Sequence, residues 1–159
     1  MARIKANGIE IEYREIGNPD DPMLLLVSGF STQMISWPEA YLEGLAAAGR
    51  RVVIFDNRDI GLSTEFTNEV PPAPVDIVKG AAAGEPVHER VPYILDDMAA
   101  DAAALIGVLG ADKADVMGFS MGGMIVQLMA LNHPDKVRTL IPVMTTSGDP
   151  SLPPSTPEA

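Results

Sequence analysis

The chain alternates between short apolar runs and longer stretches with helical spacing. Apolar and charged residues alternate over residues 3–16, and Asn7-Gly8 stands in the middle, where a two-residue turn joins antiparallel strands. The four later runs are almost entirely apolar: MLLLV (23–27), RVVIF (51–55), ADVM (114–117) and TLIPVM (139–144). Such runs are typical of strands covered on both faces. The pattern therefore predicts a β-hairpin followed by four buried strands.

Helical patterns separate these runs. Residues 36–39, SWPE, have the spacing of a capping box, and Gly49 stands where a helix would stop. A second helix carries an apolar stripe that Gly110 ends. The stripe consists of Ile94, Met98, Ala102, Leu105 and Leu109. A third helix is predicted over residues 122–132, before Pro134. Alternating strands and helices predict an α/β fold, with a mostly parallel sheet and helices on both faces.

Two segments interrupt this alternation. Residues 64–90 are rich in proline and glycine, so we expect an irregular excursion that either connects elements on the surface or lines a cleft. The tail, SGDPSLPPSTPEA, has the composition of an exposed linker. We therefore assign residues 1–146 to one domain and expect residues 147–159 to lead to a cap or C-terminal segment that is not in this chain.

Composition excludes several kinds of partner and of chemistry. The 159 residues include 22 acidic and 11 Lys or Arg side chains, for a formal net charge of −11, which disfavours nucleic acid and anionic membranes as partners. No cysteine is present, which excludes disulfides, thiolate catalysis and Cys-based zinc sites. No apolar run approaches the roughly 20 residues that span a bilayer, and no signal core follows the N-terminus. We expect a cytoplasmic protein that binds neither metal nor cofactor.

The sequence GFSMG, residues 118–122, joins a predicted strand to a predicted helix. In that context G-x-S-x-G predicts a nucleophile elbow, with Ser120 as the nucleophile. A turn from strand to helix within one residue strains the serine backbone, and side chains at Gly118 and Gly122 would collide with neighbouring elements. The hydroxyl then projects at the carboxyl ends of the strands, where open α/β sheets bind ligands.

Main-chain amides near Ser120 are candidates for an oxyanion hole. The first amides of a helix lack internal partners and carry partial positive charge, so the Met121 N–H is one predicted donor. The loop after the first buried strand should supply the second, from the Phe30 N–H, because Gly29 lets the backbone approach. Gly29, Met34 and Trp37 are candidate pocket residues, although core packing explains Trp37 equally well.

Several stretches resemble the serine α/β-hydrolase superfamily, and within it the small esterases and cofactor-free haloperoxidase-like hydrolases of the aclacinomycin methylesterase type. They are LLLVSGF, WPEAYLEGLAAAG, VVIFDNRDIGLS, YILDDMAADAAALIGVLG and ADVMGFSMGGMIVQLMALNHPDKVRTLI. One departure is Ser28, where many members have histidine. The resemblance implies an α/β-hydrolase fold and cleavage of a small-molecule ester, or a related acyl substrate, through an acyl-serine intermediate. A serine at the elbow argues against dehalogenase and epoxide-hydrolase chemistry, for which relatives place aspartate there.

The base that Ser120 needs is not evident in the chain. The resemblance implies an acid and then a histidine after the nucleophile, both at positions beyond residue 159. His133 ends the nucleophile helix, about 20 Å from Ser120 at about 1.5 Å per residue, and His88 lies in the irregular segment. Asp149 follows the last strand, but the resemblance places the acid one strand later. We expect only the N-terminal part of the fold, with the triad Asp and His supplied by another segment and little activity from this chain alone.

Two interpretations remain open. Asp56, Arg58 and Asp59 follow a buried strand at the ligand-binding edge, but we favour a structural role, with turn capping and an ion pair that orders the loop. The alternative function is a non-catalytic half-domain, because the run at residues 139–144 would leave an apolar open sheet edge. Such an edge would recruit a complementary C-terminal chain or a second copy.

Overall fold

The structure, a computed structural model, describes residues 1–66, 72–149 and 151–152. Its strands are β1 (Ala2–Ala6), β2 (Ile9–Ile16), β3 (Met23–Val27), β4 (Arg51–Phe55), β5 (Ala114–Phe119) and β6 (Val137–Val143). Its helices are α1 (Glu39–Ala47), α2 (Pro74–Ala82), α3 (Leu95–Val108) and α4 (Met121–Asn132), with short 3-10 helices at Met34–Ser36 and Val87–Arg90. None of the helices described has the length and apolarity needed to cross a bilayer.

The six strands form one sheet in the order β1-β2-β4-β3-β5-β6. The pairs β1–β2 and β2–β4 are antiparallel, and the three remaining pairs are parallel. Asn7 and Gly8 have φ values of 48° and 82°, so both adopt the left-handed conformation that a tight hairpin turn requires. The predicted mostly parallel sheet with an N-terminal antiparallel hairpin is confirmed.

Helices cover both faces of the sheet, as predicted. The side chains of β3 alternate between two hydrophobic clusters, since Leu25 lies in the larger one and Leu24 and Leu26 in the smaller. The larger cluster contains residues from α3 and α4, and the smaller contains Leu42 from α1. All five β3 residues are buried. The solid apolar run therefore reflects a strand enclosed on both sides.

The predicted capping box at residues 36–39 is wrong. Ser36 ends a 3-10 helix, and α1 begins at Glu39 after Pro38, with no side-chain cap. Glu39 does not reach back to its own helix terminus because Arg14 on β2 donates two hydrogen bonds to its carboxylate, one of them 2.8 Å long. A contact with the sheet has replaced the local cap. Gly49, with φ of 78°, ends the helix region as predicted.

The prediction that residues 64–90 are irregular is wrong in part. They contain α2 and the 3-10 helix Val87–Arg90. Pro74 occupies the first turn of α2, where its missing N–H would have had no helical partner, so this proline starts a helix instead of breaking one. Residues 67–71 of this segment lie outside the described residues, as do residues 150 and 153–159 of the predicted linker. The domain boundary at residue 146 stays a prediction.

Asp115 on β5 ties the edge strand to the sheet. Its carboxylate accepts hydrogen bonds from Arg50 Nη1 at 2.8 Å, and from Arg138 Nε and Nη2 at 2.8 and 2.7 Å. Arg138 lies on β6, so the contact spans the last strand pair. These bonds, above all those from Arg138, lower the pKa of Asp115.

We expect Asp115→Asn to lower the free energy of unfolding by about 1 kcal/mol at neutral pH, a modest value because both arginines are partly solvated. The pKa of Asp115 is depressed in the folded state. The stabilisation is therefore present above the ordinary value of about 4 and is lost as pH falls through the depressed value. Urea midpoints of wild type and variant should converge in acid, and a difference that is constant with pH would contradict this. Asp112→Asn, at an exposed carboxylate, serves as the control.

Candidate active site

Ser120 forms the corner between β5 and α4. Its φ and ψ are 56° and −120°, a region that costs a residue with a side chain about 1–3 kcal/mol. Its N–H donates to the Val143 carbonyl at 3.0 Å, and its own carbonyl accepts from the Gly123 N–H at 2.9 Å. Strand β6 and the first turn of α4 thus hold the strained corner in place. The Ser120 side chain is exposed and not enclosed in the core.

The glycines around Ser120 permit close backbone packing. A Cβ on Gly118 would overlap the main chain of the facing turn of α4. A Cβ on Gly122 would overlap the carbonyl of Val27, at the end of β3. A Cβ on Gly29 would lie only 3.3 Å from the Ser120 Cβ and 3.8 Å from its Oγ. The loop after β3 therefore runs directly beside the serine hydroxyl.

The two predicted oxyanion donors are both available. Neither the Phe30 nor the Met121 N–H hydrogen bonds to any residue that the structure describes. Both residues line one cavity of about 370 Å³, which also includes Asp59 and Tyr93. Phe30 further lines the cavity that contains Ser120. Main-chain N–H groups from two different elements thus remain free near the serine, which is an arrangement that can bind a carbonyl oxygen as it becomes negative.

A second cavity, of about 440 Å³, opens beside Ser120. Its lining residues are Ser28, Gly29, Phe30, Thr32, Ser36, Trp37, Pro38, Phe119 and Ser120. Gly29 and Trp37, two of the candidate pocket residues, thus border the cavity that contains Ser120, and their role towards a ligand stays a prediction. Met34 does not line this cavity: it is 2% exposed and packs in the smaller core cluster. Its N–H donates to Asp56 Oδ1 at 2.7 Å, which draws the 3-10 helix against the end of β4.

Neither histidine hydrogen bonds to Ser120. His88 is exposed in the 3-10 helix Val87–Arg90, and His133 caps the C-terminal end of α4. Asp149 is exposed beyond β6, where the Ser151 N–H donates to its carboxylate at 2.8 Å and lowers the pKa of Asp149. The described residues include no group of three or more His, Asp or Glu side chains that could hold a metal ion.

Asp56, at the end of β4, caps two loops. It accepts the Met34 N–H, and the Leu62 N–H lies 3.5 Å from its other oxygen. The side chain is 4% exposed, and this burial raises the pKa of Asp56 against the opposing effect of the two amides. Asp59 similarly accepts the Phe66 N–H at 2.6 Å. These contacts agree with the structural roles that the sequence favoured.

Arg58 forms a buried ion pair with Asp101 on α3, a partner that the sequence analysis did not identify. Its Nε and Nη2 donate to the two carboxylate oxygens of Asp101, both at 2.7 Å. The guanidinium carbon lies 5.2 Å from the ring centre of Phe66 and 4.9 Å from that of Tyr93. The sequence did carry a signal for this pair. Asp101 lies among the apolar residues of a predicted helix, and a buried charge requires a partner.

Comparison with known proteins agrees with this architecture. The family model for the alpha/beta hydrolase fold matches residues 22–159. The chain is 34% identical to rhodomycin D methylesterase DauP of Streptomyces sp. (strain C5) over 125 residues. These residues cover 79% of this chain and 35% of that protein. It is also 30% identical over 139 residues to epoxide hydrolase 4 of Mus musculus, and this alignment covers 87% of this chain and 32% of that protein.

A solved structure gives the same result. The alpha/beta hydrolase fold protein from Chitinophaga pinensis matches with a TM-score of 0.63 and 33% sequence identity, over 86% of this chain and 41% of that one. The chain spans about a third of the length of the two curated relatives named above. It therefore belongs to the alpha/beta hydrolase fold family.

Proposed function

We propose that this chain carries the nucleophile and the oxyanion-binding amides of a serine esterase. The observation that carries the proposal is the conformation of Ser120, an exposed serine held with positive φ between a strand and a helix. Such strain persists only where the surrounding structure imposes it, and it is concentrated at functional sites. The free amides of Phe30 and Met121 and the adjoining cavity of about 440 Å³ complete the chemical setting.

The reaction proceeds by acyl transfer. Ser120 Oγ attacks the ester carbonyl carbon and gives its proton to a base, while the C=O electron pair moves onto the carbonyl oxygen. The Phe30 and Met121 N–H groups stabilise that oxyanion, and loss of one such donor costs about 2.7–4 kcal/mol of transition-state stabilisation. The intermediate then expels the alcohol, which receives the proton, and water cleaves the acyl-serine by the same steps.

Two considerations favour an ester over an epoxide, although relatives of both kinds exist. A relative at 34% identity is named as a methylesterase, and cleavage of a methyl ester is acyl transfer. A serine nucleophile attached to an opened epoxide would form an ether, which water does not readily cleave, whereas an acyl-serine is an ester and turns over. The hydroxyl at position 120 therefore suits a carboxylic ester or a closely related acyl substrate.

The base and its orienting acid come from a segment outside these 159 residues, on a second chain or on a longer form of this one. Support comes from the chain's two histidines, because His88 is exposed in a 3-10 helix, His133 ends α4, and neither hydrogen bonds to Ser120. A triad without its base retains only the effects of oxyanion binding and substrate binding, roughly 10³–10⁴-fold over water in the best-studied protease. The chain alone should thus be a very weak esterase.

The test is turnover of a chromogenic short-chain ester by the chain alone and by the chain joined to a segment that carries the acid and the histidine. We expect the segment to raise kcat/KM by about 10³-fold or more. His88→Ala and His133→Ala serve as controls that should leave both rates unchanged. Full activity from the 159 residues alone, or loss of activity in either histidine variant, would contradict the proposed source of the base.

A second candidate function, assembly without catalysis, is favoured by the edge of the sheet. In the described part of the chain β6 pairs only with β5, and Leu140 and Ile141 on β6 are 37% and 36% exposed. Met144, just after the strand, is 75% exposed. An apolar edge of this kind recruits another strand, from a complementary C-terminal chain or from a second copy. A stable monomer in size-exclusion chromatography with light scattering would count against self-association.

A further inference from the structure

The loop between β3 and the 3-10 helix Met34–Ser36 carries the Phe30 amide and is fixed at both of its ends. At its end, the Met34 N–H donates to Asp56. At its start, the Asn57 Nδ2 donates to the Ser28 carbonyl at 3.3 Å. Asp56 and Asn57 directly follow β4, the strand next to β3. The main chain of the loop is therefore held from the neighbouring strand.

The side chain of Ser28 makes a third contact, with the wall of the cavity. Trp37 Nε1 donates to Ser28 Oγ at 2.9 Å. The indole also stacks on Tyr41, with ring centres 6.1 Å apart and planes 15° from parallel. Ser28 borders the cavity but is only 1% exposed, and the hydrogen bond from Trp37 engages its hydroxyl. One hydrogen bond thus links the loop that presents Phe30 to the aromatic wall beside Ser120.

We propose that Ser28 is a positioning residue, whose hydroxyl fixes the Trp37 indole as the wall that receives the apolar arm of the ester and, with it, the loop that presents the Phe30 N–H. The roles of the Phe30 N–H and of the wall towards an ester rest on the proposed function, whereas the hydrogen bond by which Ser28 fixes the wall does not. Trp37 is then the residue that determines specificity for the apolar arm. Without the serine, the indole N–H is left in a partly buried site with no acceptor, and the ring is free to tilt.

Trp37 is the only tryptophan in the chain, so its indole N–H gives a single proton resonance. We expect Ser28→Ala to accelerate hydrogen exchange of this N–H at least about tenfold, which corresponds to about 1.4 kcal/mol of lost protection. Ser147→Ala, the same chemical change at an exposed site beyond β6, should leave the exchange rate as in wild type. An unchanged rate in Ser28→Ala would overturn the proposal.

The binding of two ligands tests the Trp37 wall and the Phe30 loop separately. Hexaneboronic acid forms a tetrahedral adduct when its boron binds the serine oxygen and the hydroxyl proton passes to the base, so it requires both the wall and the loop, whereas 1-hexanol only occupies the cavity and requires the wall alone. By calorimetry on the chain joined to the segment that carries the acid and the histidine, we expect Ser28→Ala and Trp37→Phe each to lower the affinity for 1-hexanol about tenfold. The affinity for the boronic acid should fall by more than that, because the loop is disturbed as well as the wall. The double variant should be little weaker than either single one, because both substitutions break the same bond.

The outcomes are distinct. Independent effects in the double variant, or unchanged affinity for 1-hexanol in Ser28→Ala, would overturn the positioning role of Ser28. An equal loss of affinity for 1-hexanol and for the boronic acid in Ser28→Ala would overturn the part that concerns the Phe30 loop. If Ser120→Ala binds the boronic acid as tightly as wild type does, the proposed function fails, and the 1-hexanol measurements still decide whether Ser28 positions the wall.

Discussion

Replacement of Ser120 by alanine lowers kcat for a chromogenic ester by about 10⁴-fold or more in the chain joined to its acid and histidine, and leaves the free energy of unfolding nearly unchanged. The activity falls because Ser120 Oγ is the atom that forms the acyl bond. The stability is retained because alanine keeps the Cβ, and hence the same strain at φ of 56°. Ester turnover and urea midpoints on the same samples measure both effects. A variant that retained its activity would exclude Ser120 as the nucleophile.

Ser120→Gly is the matched control, since it removes the same hydroxyl and also the strain. Glycine adopts positive φ without steric cost, although it loses more backbone entropy on folding. We expect the glycine variant to be inactive and to exceed the alanine variant in stability by up to about 1 kcal/mol. Equal stability of the two variants would mean that the corner is not strained. Higher stability of the glycine variant would show that the native serine is kept at the expense of stability, as at other functional sites.

The sequence predicted those parts of the fold that depend on neighbours in the chain. The Asn7-Gly8 turn, the solid apolar strands and the G-x-S-x-G corner all have local signals, either glycines that free the backbone or an apolar run that indicates a strand covered on both faces. The choice of the Met121 and Phe30 amides as oxyanion donors also rests on local reasoning, because a helix start and a loop after a strand expose amides wherever they occur, and it stays a prediction. In each case the signal in the sequence is short and continuous.

The contacts that organise the site join residues far apart in the sequence, and they were not predicted. Met34 and Asp56 are 22 positions apart, and Arg58 and Asp101 are 43 apart. Met34 was assigned to the pocket because its amide contact with Asp56, which turns the 3-10 helix towards the core, has no local signature. The capping box failed for the same reason, because Glu39 binds Arg14, 25 positions away. Sequence patterns define elements, and long-range polar contacts decide how the loops between them are set.

Gly122→Ala should lower the free energy of unfolding by about 3 kcal/mol or more, a large effect for the addition of one methyl group. Its added Cβ would meet the carbonyl oxygens of Val27 and Ser28, which are backbone atoms at the end of a fully buried strand. A flexible side chain can move out of the way, but this backbone is hydrogen bonded on both sides, to β4 and to β5. The clash therefore separates α4 from β3 and disturbs the Ser120 corner as well.

Gly44→Ala, on the exposed side of α1, provides the matched control for this substitution. A Cβ there meets nothing within 4 Å, and alanine is favoured over glycine within a helix by about 0.5–1 kcal/mol. The same chemical change should thus lower the urea midpoint at residue 122 and raise it at residue 44. If Gly122→Ala were as stable as wild type, the close approach of α4 to β3 would not be required, and the packing that supports the nucleophile would have to be reassigned. Because the elbow depends on this contact, the affinity for hexaneboronic acid of the chain joined to its acid and histidine should fall together with stability.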